Sequence, residues 1–191
     1  EVEHFTIPAY NRQFQVKSCP QKFNGVGVIQ RQSYTNQKTR EPKTFAMDDF
    51  LRVFGIWLAE GSLRKNGEIV ISQKTESKAK EITEWVKRLG YQNAKWYANS
   101  DVIFCDVQLN SWLKQFGHSH DKWIPEELKN LSKRQMNILL DSMMLGDGSR
   151  DDNHFYYATV SRRLADDVQE IALKAGYVTT LSERKDGIYI I

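Results

Sequence analysis

The chain contains few cysteines and no long apolar stretch. Its two cysteines, Cys19 and Cys105, form neither a disulfide framework nor a zinc site, so we expect two reduced thiols in an intracellular protein. No hydrophobic run approaches the length that crosses a bilayer, so no membrane partner is expected. At 191 residues, the chain is long enough for one domain with a sizeable core, or for one domain plus an appendage.

Acidic residues are missing from one stretch of the sequence. Between Phe5 and Arg40 there is no Asp or Glu, although the net charge of the whole chain is only +3. A basic stretch with interleaved aromatic residues is typical of nucleic-acid contact, and equally of a solvated basic face on a small β element. The residues concerned are Arg12, Lys17, Lys22, Arg31, Lys38 and Arg40, with Tyr10, Phe14, Phe23 and Tyr34 between them.

Two apolar segments each end in an acidic residue that is followed by Gly-Ser. The first runs from Phe50 to Glu60, and the second runs from Met136 to Asp147. Acidic residues rarely end such segments unless a negative charge is needed there, so we predict that these two acids, the acid pair, meet at one site. The alternative is that both are surface residues, each followed by glycine only because the chain reverses there.

Each acid is followed by the same order of predicted elements, which indicates an internal repeat. Two strands come first, the second of them ending in serine, then an amphipathic helix that ends in Gly-Tyr, then a two-stranded hairpin. The fold class is therefore α+β, with two αββαββ repeats. The predicted helices are 76–89 and 162–175, and the predicted hairpin strands are 95–99, 102–108, 178–183 and 188–191.

Small residues recur four positions apart on the two apolar segments, as Gly55 with Ala59 and as Ser142 with Gly146. This spacing lets two helix backbones approach closely, so we expect the helices to pack along these faces and to bring the acid pair together. Neighbouring carboxylates at helix C-termini repel each other, and a divalent cation relieves that repulsion. Oxygen ligands favour Mg²⁺, so the acid pair predicts a magnesium site suited to phosphodiester cleavage.

The segments Val53–Gly61 and Leu140–Gly148 resemble the two signature motifs of the LAGLIDADG homing endonucleases. Met-Asp-Asp-Phe before the first motif and Lys-Trp-Ile-Pro-Glu-Glu from Lys122 resemble the intein-encoded branch of that family. The resemblance covers about residues 45–191. It implies the LAGLIDADG homing endonuclease fold, in which two pseudo-symmetric repeats form a DNA-binding β saddle.

The resemblance implies roles for three residues. Glu60 and Asp147 match the two metal-binding catalytic acids, and Lys122 matches a basic residue that stabilises charge or helps to activate water. Position 60 holds Glu where the family consensus has Asp, and unequal acids imply unequal rates for the two strand cuts. The family's second active-site lysine would fall beyond Ile191, and Lys185 is only a weak substitute.

The predicted domain organisation has two parts. Residues 1–45 form a basic N-terminal segment, which is a linker, a DNA-contacting arm or a splicing-domain remnant. Residues 46–191 form the endonuclease domain, with repeat one at about 46–131 and repeat two, apparently truncated, at about 132–191. The chain neither starts with a splicing nucleophile nor ends in His-Asn, so we expect no self-splicing. A host intein splicing domain is an expected partner if the chain is a fragment.

Polar residues on or beside the predicted strands are the candidate DNA contacts, because Arg and Lys suit guanine or phosphate, and Asn and Gln suit adenine. The candidates in the first half are Lys65, Asn66, Gln73, Lys74, Lys95, Tyr97, Asn99 and Gln108. The candidates in the second half are Arg150, Asn153, His154, Tyr156, Arg162, Arg184, Lys185 and Tyr189.

The resemblance implies a monomeric, Mg²⁺-dependent homing endonuclease. Its partner would be a long, near-asymmetric double-stranded DNA site, which it would cut on both strands to leave short 3′ overhangs. Two alternatives stay open. The first is a catalytically silent nucleic-acid-binding protein of the same fold, of the maturase or regulator type, and the second is an inactive intein insert.

Overall fold

A computed structural model describes residues 1–17, 33–97, 100–151 and 154–191, with the backbone alone over 11–17 and 33–38. The helices are α1 (Met47–Glu60), α2 (Glu76–Arg88), α3 (Val107–Leu113), α4 (Glu126–Lys129), α5 (Lys133–Asp147) and α6 (Arg162–Ala175). The strands are β1 (His4–Ile7), β2 (Tyr10–Lys17), β3 (Ser33–Arg40), β4 (Lys43–Ala46), β5 (Gly61–Leu63), β6 (Glu68–Ser72), β7 (Lys95–Tyr97), β8 (Asp101–Cys105), β9 (Gly148–Arg150), β10 (Phe155–Thr159), β11 (Ser182–Glu183) and β12 (Tyr189–Ile190).

The two halves of the chain have the same topology. The first repeat runs α1–β5–β6–α2–β7–β8, and its antiparallel sheet has the order β5-β6-β8-β7. The second repeat runs α5–β9–β10–α6–β11–β12, and its antiparallel sheet has the corresponding order β9-β10-β12-β11. The predicted α+β fold with two αββαββ repeats is therefore confirmed.

Helix α1 lies at the centre of the hydrophobic core. Its residues are buried on nearly every face, as expected for a helix that is apolar all round. Three aromatic rings at helical spacing, Phe50, Phe54 and Trp57, stack along one side with centroid separations of 5.5 and 6.2 Å. Trp112 and Phe116, from and beyond α3, pack edge-on or tilted against this stack. The helix is thereby fixed in both position and rotation.

Helices α1 and α5 pack against each other through small residues, as the sequence predicts. A Cβ atom added to Gly55 would lie 2.0 Å from Ser142 Oγ and 2.8 Å from the carbonyl oxygen of Leu139. A Cβ atom added to Gly146 would lie 2.6 Å from the Cβ of Ala59. These separations leave no room for a larger side chain at either glycine, so the small residues are what allows the two backbones to be this close.

Both ends of the predicted N-terminal segment are built into the folded domain. Phe5 of β1 stacks on Phe50 of α1 with the ring centroids 4.1 Å apart, and β1 pairs with β4 immediately before α1. Gln108 of α3 donates to the carbonyl oxygens of Pro8 and Glu41, both at 2.9 Å, and so links the two ends. The boundary predicted at residue 45 therefore falls inside β4. Strands β1 and β4 form one two-stranded sheet, and β2 and β3 form another.

The predicted strand at 102–108 is wrong at its end. Strand β8 stops at Cys105 because the Asp106 side chain accepts hydrogen bonds from the backbone N–H groups of Gln108 and Leu109 and so caps α3. The second hairpin is also shorter than predicted, since β11 contains only Ser182–Glu183 of the predicted 178–183. Asn99, at the end of the predicted strand 95–99, lies outside the described residues.

The described residues can be compared with the expectations about membrane-spanning segments and cysteines. Within the described ranges, no helix combines the length and apolarity needed to cross a membrane. Cys105 is a free, exposed thiol, and Cys19 lies outside the described residues.

Replacing Gly55 by Ala tests the contact between α1 and α5. Alanine is the better helix former, yet its Cβ would overlap Ser142 Oγ and the Leu139 carbonyl, so we expect a net loss of about 1–3 kcal/mol in the free energy of unfolding. Chemical denaturation measures this loss. Adding Ser142→Gly should recover part of it by removing one of the two clashes, whereas Ser77→Ala on the exposed face of α2 should change stability by less than about 0.5 kcal/mol. An unchanged or raised stability of Gly55→Ala would contradict the contact.

Candidate active site

Each acid of the pair stands where a helix passes directly into a strand. The residue after each acid is glycine in an extended conformation, Gly61 after α1 and Gly148 after α5. A Cβ atom at Gly61 would lie 2.4 Å from the carbonyl oxygen of Trp57, and one at Gly148 would lie 2.4 Å from that of Met144. Glycine is therefore required at both positions, because the first residue of the strand lies in contact with the last turn of the helix.

The electrostatics of the site show that the two acids interact. Burial raises the pKa of Asp147 to about 6, and the negative charge of Glu60 adds to this rise while Lys122 opposes it. Burial also raises the pKa of Glu60, against the attraction of Lys122 and Lys78. Glu60 is half-buried and Asp147 is exposed, yet the surrounding protein disfavours the charged form of both, and Glu60 also repels Asp147; a nearby cation would relieve both effects.

The ammonium group of Lys122 is buried at the C-terminus of α1, and the residue is only 4 % exposed. Its Nζ donates to the carbonyl oxygens of Trp57 at 2.8 Å, Leu58 at 3.0 Å and Gly61 at 2.8 Å. These bonds use all three of its donors and place a positive charge at the negative end of the helix dipole. Burial lowers the pKa of Lys122 to about 8, while the acid pair opposes the shift.

The segment that carries Lys122 is held by α6. Ser161 caps α6 and its Oγ donates to the carbonyl oxygen of Lys122 at 2.7 Å. The Ile124 N–H donates to Asp167 at 2.8 Å, and the guanidinium of Arg163 lies 4.0 Å from the centre of the Trp123 ring. The second repeat therefore positions the lysine that contacts the helix of the first repeat.

A cavity of about 330 Å³ opens beside this arrangement. Asp147 and Lys122 line it, together with Leu58 and Ala59 of α1 and residues 158–160 at the end of β10 and just beyond it. Within the described part of the chain, no group of three or more His, Cys, Asp or Glu side chains is placed to hold a metal ion. A metal at this site would therefore take its protein carboxylates from the acid pair alone.

Sequence reasoning missed two residues near the acid pair, Lys78 and Tyr157. Lys78 of α2 donates from Nζ to the carbonyl oxygen of Leu145 at 2.8 Å, and its charge lowers the pKa of Glu60. Tyr157 of β10 is 3 % exposed, and the charges of Asp147 and Glu60 raise its pKa further above the rise that burial causes. Its hydroxyl has no hydrogen-bond partner among the described residues. Neither residue has a counterpart of the same type in the other repeat, so the repeat pattern does not reveal them.

Most candidate DNA contacts are exposed. The register of the first sheet puts Lys95 opposite Ile103 and Tyr97 opposite Asp101, on the face away from the buried Val102 and Phe104. The other exposed candidates lie in turns, at strand ends or in the first turn of α6. They are Lys65, Asn66, Lys74, Arg150, His154, Tyr156, Arg162, Arg184 and Lys185, while Tyr189 is partly buried.

Two candidate DNA contacts are corrected by the structure. Gln73 is 8 % exposed and its side chain accepts from the Thr75 N–H, so it supports the turn before α2. Gln108 is 5 % exposed and joins the ends of the N-terminal segment, as described above. Asn99 and Asn153 lie outside the described residues.

Three of the exposed candidates already have acidic neighbours within their own segment. Arg162 pairs with Asp166, Arg184 pairs with Asp186, and His154 lies beside Asp151. Exposed pairs of this kind are weak enough to be exchanged for phosphate contacts.

Sequence comparison links the second repeat to a known family. Residues 135–191 match the family described as LAGLIDADG-like domain. The chain is also 28% identical over 151 residues to the ATP-dependent Clp protease proteolytic subunit of Chlamydomonas moewusii. That match covers 71% of this chain but only 15% of the algal protein.

Structural comparison extends the likeness to both repeats. Mesophilic variants of the homing endonuclease I-DmoI superpose with a TM-score of 0.59 at 14% identity, over 75% of this chain and 82% of theirs. A variant of I-DmoI in complex with its target DNA in the presence of Mn gives the same TM-score and identity, and 85% of its chain is covered. Full-length DUF199/WhiA from Thermatoga maritima gives a TM-score of 0.56 at 11% identity, over 75% of this chain and 50% of its own.

The shared topology of the two repeats and these superpositions agree on the architecture. The chain has the LAGLIDADG homing endonuclease fold, and its residues 135–191 match the LAGLIDADG-like domain family.

Proposed function

We propose that this chain is a site-specific, metal-dependent endonuclease that cuts both strands of double-stranded DNA and leaves short 3′ overhangs. One observation carries the proposal. Two packed helices, one from each repeat, end in carboxylates whose charges interact, beside the buried ammonium of Lys122. Two acids with raised pKa values at the meeting point of two helices are typical of a functional site and add nothing to the stability of the fold.

The residues present fit a divalent cation. Two carboxylates without further protein ligands are the donor set that Mg²⁺ accepts, because it keeps several waters and binds substrate phosphate. The unpartnered hydroxyl of Tyr157 supports the fit, since a buried hydroxyl that lacks a partner is costly unless a water or ligand completes it. We assign Glu60 and Asp147 as the residues that would hold Mg²⁺.

In this mechanism each residue has a distinct task. A bound divalent cation would supply positive charge to polarise the scissile phosphate and to favour deprotonation of the attacking water. Glu60 and Asp147 would hold that cation, one from each repeat. Lys122 fixes the last turn of α1 and so the position of Glu60, and its ammonium contributes positive potential to the cavity where phosphate would enter.

DNA recognition is assigned to the two sheets. Lys95 and Tyr97 lie on the outer face of the first sheet, and the exposed basic residues of the second half lie near its strand ends. The complex of an I-DmoI variant with its target DNA supports this assignment, because that protein has the same fold. Strands β2 and β3 contain no acidic residue, and we assign them to contact with the DNA backbone.

An intein context is part of the proposal. The match to a protease subunit covers only 15% of that protein, as expected if the similar segment is an insertion in a host protein. The target would then be the host gene without its insertion. A non-cleaving nucleic-acid-binding role is the rival, because DUF199/WhiA has the same fold.

Neutralising either acid tests the proposed chemistry. Glu60→Gln and Asp147→Asn each remove a charge that holds the metal, so we expect double-strand cleavage to fall about 10³-fold or more. The measurement uses a plasmid with the uninterrupted host-gene site and Mg²⁺, and chelation with EDTA should abolish cutting. Asp141→Asn, on the same helix but outside the acid pair, is the matched control and should retain cleavage.

Two outcomes would overturn this assignment. If the wild-type protein binds target DNA tightly and never cuts it, the non-cleaving role replaces the enzyme. If the two single-acid variants retain full double-strand cleavage, the acid pair is not the active site.

The hydroxyl of Tyr157 gives a separate test of the fit. Because the hydroxyl lacks a partner among the described residues, Tyr157→Phe should leave the free energy of unfolding unchanged or raise it by up to about 1 kcal/mol. The matched control is Tyr91→Phe, whose hydroxyl donates to Asp106 and accepts from Lys43, and which should lose about 1–2 kcal/mol. Equal losses in the two variants, measured by denaturation without metal, would show that the Tyr157 hydroxyl is structurally bonded.

A further inference from the structure

The position of Lys78 is electrostatically unfavourable in its own helix. It is the third residue of α2, in the first turn, where a positive charge faces the positive end of the helix dipole. Its Nζ instead reaches across to α5 and donates to the carbonyl oxygen of Leu145 at 2.8 Å. There the ammonium meets the negative end of a different helix, two residues before Asp147.

The same relation exists at the other helix. Lys122 Nζ donates to the carbonyl oxygen of Leu58 at 3.0 Å, and Leu58 lies two residues before Glu60. In both helices, a lysine ammonium therefore donates to the carbonyl oxygen of the residue two positions before the acid. Lys78 belongs to the first repeat and contacts the helix of the second repeat. Lys122 lies in the segment that connects the repeats and contacts the helix of the first repeat.

The two lysines come from different places in the sequence. Lys78 lies three residues after Thr75, the residue that immediately precedes α2. The residue three after Ser161, which caps α6, is Leu164, and it is buried. The second repeat thus has no lysine at this point of its helix, and Lys122 of the connecting segment provides the corresponding ammonium.

Resting on the proposed function, we infer that Lys78 is a positioning residue of the active site. It fixes the last turn of α5, and with it Asp147, and its charge offsets the negative charge of Glu60. A phosphate group that enters the site would then meet acids whose positions are set from both repeats. Lys78 performs for α5 the task that Lys122 performs for α1.

Three substitutions separate the charge of Lys78 from its hydrogen bond. Lys78→Gln removes the charge but retains a donor for the Leu145 carbonyl, Lys78→Met removes both, and Lys78→Arg retains both. Lys80→Gln is the matched control, because Lys80 is an exposed lysine of the same helix that pairs with Glu76. Each variant is measured for target cleavage under steady-state conditions and for Mn²⁺ binding by calorimetry without DNA.

We expect kcat for cleavage to fall about tenfold in Lys78→Gln and further in Lys78→Met, as for residues that orient metal ligands. The KM for target DNA should stay within about threefold, because the lysine acts on the reacting groups and not on DNA binding. Mn²⁺ should bind Lys78→Gln at least about twofold tighter than wild type, because a repelling charge beside the acid pair has been removed. Lys78→Arg should restore both quantities.

The outcomes distinguish this inference from the proposed function. Unchanged kcat and unchanged Mn²⁺ affinity in Lys78→Gln would overturn the role of Lys78, and so would an equal loss of kcat in Lys80→Gln. If the wild-type protein cuts no DNA, the proposed function fails. The Mn²⁺ measurement still tests Lys78 in that case, because tighter binding in Lys78→Gln would show that its charge faces a cation site.

Discussion

The contact between α1 and α5 is the constraint on which the rest of the structure depends. Gly55 and Gly146 leave no room for a Cβ atom, so the two helices approach through backbone and very small side chains. This closeness has a direct consequence for the helix ends. Because both helices run to the same end of the interface and stop at an acid, the packing that forms the core also brings the two carboxylates within electrostatic reach of each other.

That arrangement is unfavourable in itself, and the protein compensates for it with cations. Two negative helix ends and two carboxylates converge on a partly desolvated place. Lys122 and Lys78 each donate to a carbonyl near the end of one helix, and both attract Glu60. The compensation is incomplete, since the pKa of Asp147 remains raised to about 6. The remaining negative charge is what a divalent cation would bind.

Local sequence patterns predicted the helices and the repeat well, and contacts between distant residues less well. Helix α6 has the predicted bounds because an amphipathic pattern, a serine cap and a following glycine all agree. The prediction of a strand at 102–108 was wrong at its end because the Asp106 carboxylate accepts hydrogen bonds from N–H groups of α3. The alternation of polar and apolar residues does not reveal this helix cap. Gln73 had a suitable residue type for base contact, but the turn before α2 uses its side chain.

Lys78 and Tyr157 show why the site itself was only partly predictable. Both become relevant through contacts across the chain, and repeat matching hides them because their counterparts differ in type. In the sheet register, Tyr157 pairs with the glycine after one acid as Ile71 pairs with the glycine after the other. The apolar Ile71 thus corresponds to Tyr157, which carries a hydroxyl, and Leu164 corresponds to Lys78. The two halves share a backbone plan, but they surround the acid pair with different chemistry, so the two carboxylates are unequal in environment as well as in length.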